Sequence, residues 1–211
     1  MDVPFKVSIV CFSGKQGSGK DTTALALKQL YSHDFDTACY VVKFADVIYE
    51  MQSAVYDVAM KYDMFDEKPA KDGRLLQLLG TEWGREKRES IWVDACVGKI
   101  NKMVADINRQ ESVPKRVVFM ITDCRFENEF KSMRDAFRVR LECSEEIRKT
   151  RAESWRDATD HPSETGLDEW AAMGLFDLIL DTNRMSAEKC ALEISSHLAK
   201  SDWHKYRSHS V

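Results

Sequence analysis

Nine consecutive residues near the start of the chain, Gly14-Lys15-Gln16-Gly17-Ser18-Gly19-Lys20-Asp21-Thr22, fit the spacing GxxxxGK. The glycines let successive backbone N–H groups converge on phosphate oxygens with no Cβ in the way. A helix starting directly after them adds the partial positive charge of its N-terminus. Lys20 then reaches the β- and γ-phosphates as a point charge. The pattern reads as a nucleoside-triphosphate site, against the plainer reading of a glycine-rich turn. In the usual form a serine or threonine follows the lysine and gives its hydroxyl to Mg²⁺. Here Asp21 stands in that place and Thr22 follows it. A carboxylate also suits Mg²⁺, directly or through water, because the ion favours oxygen ligands and keeps several waters. The order GKDT points away from mainstream GTPases and motor ATPases.

Asp123-Cys124-Arg125 is the second group of chemical interest. It follows the strongly apolar run VVFMIT, and in a parallel sheet ligands gather at the carboxyl ends of strands. Asp123 is therefore a candidate Mg²⁺-water ligand or base and Arg125 a candidate phosphate fork, with a surface ion pair as the alternative. Glu129, four residues beyond Arg125, is placed to face the same cleft. The stretch Arg74–Arg88 combines leucines with Gly80 and Gly84, which are costly in a helix interior. Those glycines imply close approach of a neighbour, either a ligand or simply a packed helix, and Gln77 and Thr81 share one helical face. Trp92 offers a stacking surface or a core side chain. Arg148, Arg151 and Arg156 either present charge to a closing loop, neutralising a transferred phosphoryl group, or form a solvated face.

Positioning these groups requires alternating strands and helices. Val7–Phe12 reads as a buried strand, Cys39–Phe44 as a second and Arg116–Thr122 as the third. Phe137–Glu142 alternates apolar and charged residues, like a strand nearer the sheet edge, and Leu178–Leu180 marks a fifth. Helical periodicity after Gly19, over about 46–61, over about 74–108 and from Ala187 to Leu198 separates them. Strands divided by helices mean a parallel sheet covered on both faces. The expected organisation is one domain over residues 1–200, with a core of about 5–45 and 115–200. A helical substrate-binding region of about 46–110 and a lid of about 150–166 complete it. The polar loops Asp66–Gly73 and Arg156–Gly166 serve as hinges or lids, and 201–211 as a flexible tail.

Composition narrows the classes. The chain has 211 residues, one generous domain, with 44% hydrophobic and 31% charged residues, so it is neither disordered nor fibrous. Its 31 basic and 35 acidic residues leave a net charge of −4, which predicts no binding to polymeric nucleic acid or anionic membranes. No uncharged run approaches the ~18 residues of a spanning helix. The start of the chain lacks the basic and apolar regions of a secretory signal, so the expected location is the cytoplasm. The six cysteines, no two closer than 19 residues, lack metal-ligand spacing and read as reduced thiols.

Taken together, FSGKQGSGKDT, LLQLLGTEWGRE with IWVD, TDCRFENE and DHPSE resemble phage-type deoxynucleoside monophosphate kinases, over about residues 7–183. The resemblance implies an α/β P-loop kinase fold with a five-stranded parallel sheet, and transfer of phosphate from ATP to a dNMP with Mg²⁺. It also implies a dNMP pocket drawn from Arg74, Gln77, Gly80, Thr81, Trp92, Asp123, Arg125 and Glu129. On this reading the backbone from Gly14 to Lys20 holds ATP, Lys20 and Lys15 stabilise the moving phosphoryl group, and Mg²⁺ sits near Asp21, Thr22 and Asp123. Arg125, helped by Arg85 or Arg88, holds the acceptor phosphate, while Arg151 or Arg156 closes over the transfer. A homodimer is compatible with it. The opening FSGKxxSGKD with Lys15, the DxR after the third strand and the acidic stretch before GLD also resemble animal-type phosphomevalonate kinases, although LLQLLGTEWGR and RFENE favour the nucleotide branch. A third reading, outside kinases, is a P-loop ATPase or switch module that hydrolyses ATP without an acceptor.

Overall fold

Val7–Ser13 are buried without exception because their strand, β1 (Lys6–Ser13), runs through the middle of a five-stranded parallel sheet. The structure, a computed structural model, describes residues 3–151 and 162–200. The sheet order is β2 (Thr37–Val42), β3 (Arg116–Ile121), β1, β4 (Phe137–Glu142), β5 (Leu178–Asp181). Registers such as Ile9 opposite Phe119 and Phe12 opposite Val139 bring the carboxyl ends of β1, β3 and β4 to one rim. Side-chain alternation divides the core between the faces. Val7, Ile9, Cys11, Phe119 and Ile121 pack on one face against Cys96 and Ile100 of α4 (Ile91–Ile107). Val10, Phe12, Met120 and Leu141 pack on the other against α1 (Lys20–Leu30) and α9 (Ala187–Lys200). The apolar stripe Cys190, Ala191, Ile194 and Leu198 is the buried face of α9, as its spacing predicts.

β4 lies nearer the edge than β1, as its alternation predicts, though it is not the edge strand itself. It pairs with both β1 and β5, and the edges are β2 and β5. Two of the three charged residues that give β4 its alternation are taken up by the protein: Arg138 lies over the Phe130 ring at 4.3 Å and Arg140 is buried, while Glu142 is exposed. A strand with one arginine-bearing face therefore does not have to meet solvent, provided rings and carboxylates receive the guanidinium groups.

Between β2 and β3 the chain forms α2 (Asp46–Lys61), α3 (Gly73–Gln77) and a π-helical segment (Leu78–Arg85) before α4. The single helical stretch expected over 74–108 is thus three elements, α3 and the π-helical segment running on from one another and α4 following a break at residues 88–90. Asp72 starts α3 by accepting hydrogen bonds from the amides of Arg74 and Leu75 at 3.0 Å. The neighbours that approach Gly80 and Gly84 are protein side chains. A Cβ on Gly84 would lie 2.2 Å from the Trp92 ring, and one on Gly80 3.3 Å from Ile48. We expect Gly84→Ala to destabilise the protein by about 1–3 kcal/mol through overpacking. Gly98→Ala, at an exposed position of α4 with open space around it, should stabilise it by about 0.5–1 kcal/mol. Thermal melting of the two variants checks the contrast; equal melting temperatures would contradict it.

All six cysteines are free thiols. Burial pushes the Cys39 thiol up to about 12, so it is a packing residue and not a nucleophile. Among the described residues no helix is long and apolar enough to cross a membrane. The tail 201–211, the expected lid residues 152–161 and with them Arg156 lie outside the described residues.

Candidate active site

The loop from Gly14 to Gly19 leaves the centre of the sheet and enters α1 in a single turn. Gly17 has φ +77°, and a Cβ there would meet the Arg148 carbonyl at 2.7 Å, so this position admits only glycine without strain. Two groups brace the loop from outside. Thr182 Oγ1 donates to the Ser18 carbonyl at 3.0 Å, and buried Arg148 donates to the Gln16 carbonyl at 3.1 Å. With the outer carbonyls held in this way, amides and the start of an eleven-residue helix face the cradle. Among the described residues the Ser18 hydroxyl is buried with no partner. This donor set suits a polyphosphate.

Lys20, 7% exposed, folds back over the loop and donates to the carbonyls of Gly14 at 2.6 Å and Lys15 at 3.0 Å. Burial, with the nearby positive charge of Arg125, lowers its ammonium to about 7, against the opposing pull of Glu164 and Asp21. The cradle thus holds a poorly solvated cation that an incoming phosphate would stabilise.

Asp21 accepts from Thr122 Oγ1 at 2.7 Å and from Lys43 Nζ at 2.8 Å. Burial alone would raise its carboxyl, but those two bonds outweigh it and hold the group below its usual range. Its side chain is 61% exposed, so an ion-bound water can reach it. Asp123 is used differently. Its two oxygens accept the amides of Phe44 at 2.9 Å and Ala45 at 3.0 Å, tying the end of β2 to the end of β3. Burial raises the Asp123 carboxyl despite those amides. Thr22 is exposed on α1. No group of three or more metal-ligating side chains occurs among the described residues. Of the three expected Mg²⁺ ligands, Asp21 offers an exposed carboxylate beside the loop, Thr22 is exposed on α1, and Asp123 spends its oxygens on two amides. Such a set would suit an ion held mainly by nucleotide phosphates and water.

Beyond β3 the chain turns sharply through Cys124-Arg125-Phe126 into α5 (Glu127–Ser132). Glu129, 2% exposed, organises the turn: one oxygen accepts the amides of Arg125 at 2.9 Å and Phe126 at 3.1 Å, the other Arg85 Nη2 at 2.8 Å. Burial raises the Glu129 carboxyl against these bonds. Arg85 also lies over the Phe126 ring at 4.1 Å. Fixed in this way, Arg125 extends Nη1 to Glu164 Oε1 at 2.9 Å, and Glu164 Oε2 accepts the Gln16 amide at 2.6 Å. Glu164 belongs to the short helix α7 (Pro162–Thr165).

The expected residues therefore divide. Lys20, Asp21, Asp123, Arg125, Glu129 and Arg85 come together at the rim of β1 and β3. Lys15 lies beside them, its ammonium 2.9 Å from Asp168, which also pairs with Arg140. Arg74 and Gln77 line an open cavity of about 520 Å³ with Asp72 and Glu82, and Thr81 is exposed nearby in sequence. Arg88 pairs with Asp94 at 3.1 Å in solvent. Trp92 is a core residue and not a stacking surface: it is 3% exposed, and its Nε1 donates to the Gly80 carbonyl at 2.7 Å. Arg151 donates to the Thr182 carbonyl at 2.8 Å, bracing the rim and not covering the loop. Sequence reasoning missed Lys43, Thr122, Arg140 and Asp168 as site residues and gave Glu164 no role. The usable signals were a lysine closing the β2 run and the acids of DHPSETGLD.

No family model matches the sequence, and no curated protein matches it. Among solved structures, the chain is similar to TT1252 from Thermus thermophilus, with a TM-score of 0.55 at 17% identity over 92% of this chain and 98% of that one. Shikimate kinase from Acinetobacter baumannii in complex with shikimate gives 0.48 at 12% identity, covering 96% of each chain. The Mycobacterium tuberculosis APS kinase CysC in complex with AMPPNP and APS gives 0.46 at 15% identity, covering 93% of this chain and 99% of that one. At such identities the likeness is one of fold. The chain has an α/β fold, a five-stranded parallel sheet flanked by helices, with the GxxxxGK loop between β1 and α1.

Proposed function

We propose that the chain is an ATP-dependent small-molecule kinase that transfers the γ-phosphoryl group of ATP to the phosphate of a deoxynucleoside 5′-monophosphate. One observation carries the reading: the Arg125 guanidinium and the P-loop amide of Gln16 converge on the same carboxylate from opposite elements. A P-loop alone serves any nucleoside-triphosphate enzyme. A rigidly held arginine facing it across one anion's width supplies the acceptor side of a phosphotransferase.

In the reaction an acceptor phosphate oxygen forms a bond to the γ-phosphorus as the bond from that phosphorus to the β,γ-bridging oxygen breaks. ADP departs with the electron pair. The acceptor oxygen is already ionised at neutral pH, so no strong base is needed, and catalysis is positioning and charge stabilisation. The loop amides and Lys20 hold the β- and γ-phosphates, and Arg125, set by Glu129, holds the acceptor phosphate. Lys43 and Thr122 fix the Asp21 carboxylate, which would hold Mg²⁺ through water; the ion would neutralise phosphate charge.

One observation favours a second acceptor class. Trp92, the residue expected to stack on the base, is in the core, and the same Arg125 would serve a phosphorylated alcohol such as phosphomevalonate. ADP release measured with Mg·ATP and each of four dNMPs, four NMPs and phosphomevalonate separates the two. We expect turnover with at least one dNMP; turnover with phosphomevalonate alone would replace the nucleotide reading by the second one.

A further inference from the structure

Glu164 has no role in the reaction as just described, yet it is the residue on which both halves of the site close. Its carboxylate is 12% exposed. One oxygen accepts the P-loop amide of Gln16 and the other the guanidinium of Arg125. Lys20 lies close enough to feel both the Glu164 and the Arg125 charge. A single anion is thus held by a backbone donor from the nucleotide side and by a guanidinium from the acceptor side, with Lys20, bonded to the Gly14 and Lys15 carbonyls, nearby. Those are the groups that, on the phosphotransfer reading, flank the group in transit. A carboxylate and a phosphoryl group share what such a position selects: negative charge and oxygens that accept several N–H bonds.

We propose that the Glu164 carboxylate stands in the place of the transferred phosphoryl group and must be displaced when the γ-phosphate of ATP enters. The assignment rests on the phosphotransfer reading and adds an internal competitor to it. Two anions cannot share the position, because the repulsion between them is weakly screened in a site this enclosed. ADP, which ends at its β-phosphate, leaves the Glu164 contacts intact. The side chain therefore opposes triphosphate binding and leaves diphosphate binding alone.

Calorimetric titration of the full chain with Mg²⁺ and either ADP or the non-hydrolysable analogue adenosine 5′-(β,γ-imido)triphosphate tests this. In Glu164→Gln the affinity for the analogue is expected to rise about tenfold, on the scale of a charged hydrogen bond no longer in competition, while that for ADP changes less than about twofold. Equal changes for both ligands, no change, or weaker analogue binding would show that Glu164 only ties α7 to the loop, and would overturn the proposal. Should Glu164→Gln fail to fold by circular dichroism, Glu164→Asp, whose shorter arm loses its reach, gives the same comparison. Wild-type protein that bound neither nucleotide would remove this proposal and the phosphotransfer reading together. The selective gain, found in an enzyme that phosphorylates none of the acceptors, would leave the assignment standing and remove only that reading.

Discussion

Lys20→Met is expected to lower kcat by at least about a hundredfold, on the scale of removing one preorganised donor from a developing charge, with little change in fold. The methionine keeps the apolar stem in the same burial. What disappears is the ammonium and its two bonds to the Gly14 and Lys15 carbonyls, a loss of about 1–3 kcal/mol and so of several degrees in melting temperature. The same variant tests the electrostatics. In the free protein burial and Arg125 hold the Lys20 ammonium near 7, so at pH 8 most of it is neutral. Nucleotide phosphates, with a second pKa of about 6, are already ionised at that pH. Binding must then draw a proton onto Lys20, since an adjacent anion raises a base's affinity for protons. Calorimetry of ADP binding in EDTA at pH 8, in buffers of different ionisation enthalpy, should show proton uptake by the wild type and none by Lys20→Met. Proton release by the wild type, or near-normal turnover by the variant, contradicts the assignment.

Glu129→Ala should have the largest effect on stability among the site residues. Removing one member of a buried ion pair costs about 3–5 kcal/mol. Arg85 keeps 22% of its side-chain exposure, which reduces the expected loss to about 2–4 kcal/mol. At about 2–4 °C per kcal/mol for a domain of this size, the melting temperature falls by roughly 5–15 °C. Two amides, those of Arg125 and Phe126, also lose their acceptor. The turn that aims Arg125 therefore loosens, and acceptor KM should rise more than ATP KM. Glu129→Gln, which still offers one oxygen to the amides, should lie between the two. A melting temperature within about 2 °C of the wild type would show that Glu129 does not organise the turn.

How much of this was legible in the sequence depends on the range of each signal. The run Val7–Phe12 followed by a GxxxxGK turn encodes strand, cradle and helix within local spacing, and the structure has them in those places. The run VVFMIT with Asp123 and Arg125 after it is local in the same way. The alternation of β4 placed the strand nearer the edge, but alternation with charge usually means water on one face; here the Phe130 ring and Asp168 receive the guanidinium groups of Arg138 and Arg140. Trp92 and the two glycines at 80 and 84 form a single packing unit across a π-helical turn, and the leucine periodicity around them gave no sign of that geometry. Lys43 and Glu164 could be noticed by residue type, but the partners they meet, and the place of Thr122 among them, could not, for a topological reason. Thr122 meets Asp21 across 101 positions of chain, and Glu164 meets Gln16 across 148. Such pairs arise only when a parallel sheet brings separate strand ends to one rim. Local spacing carries no record of them.

The central claim is that the γ-phosphoryl group passes to a second phosphate held by Arg125. The most direct measurement follows that group itself, by incubating the protein with Mg²⁺, ATP labelled at the γ-phosphorus and a mixture of the four dNMPs, then separating the products. We expect label at the β-position of a deoxynucleoside diphosphate, in amounts equal to the ADP formed. Label recovered only as inorganic phosphate, at a rate indifferent to the dNMPs, would contradict it.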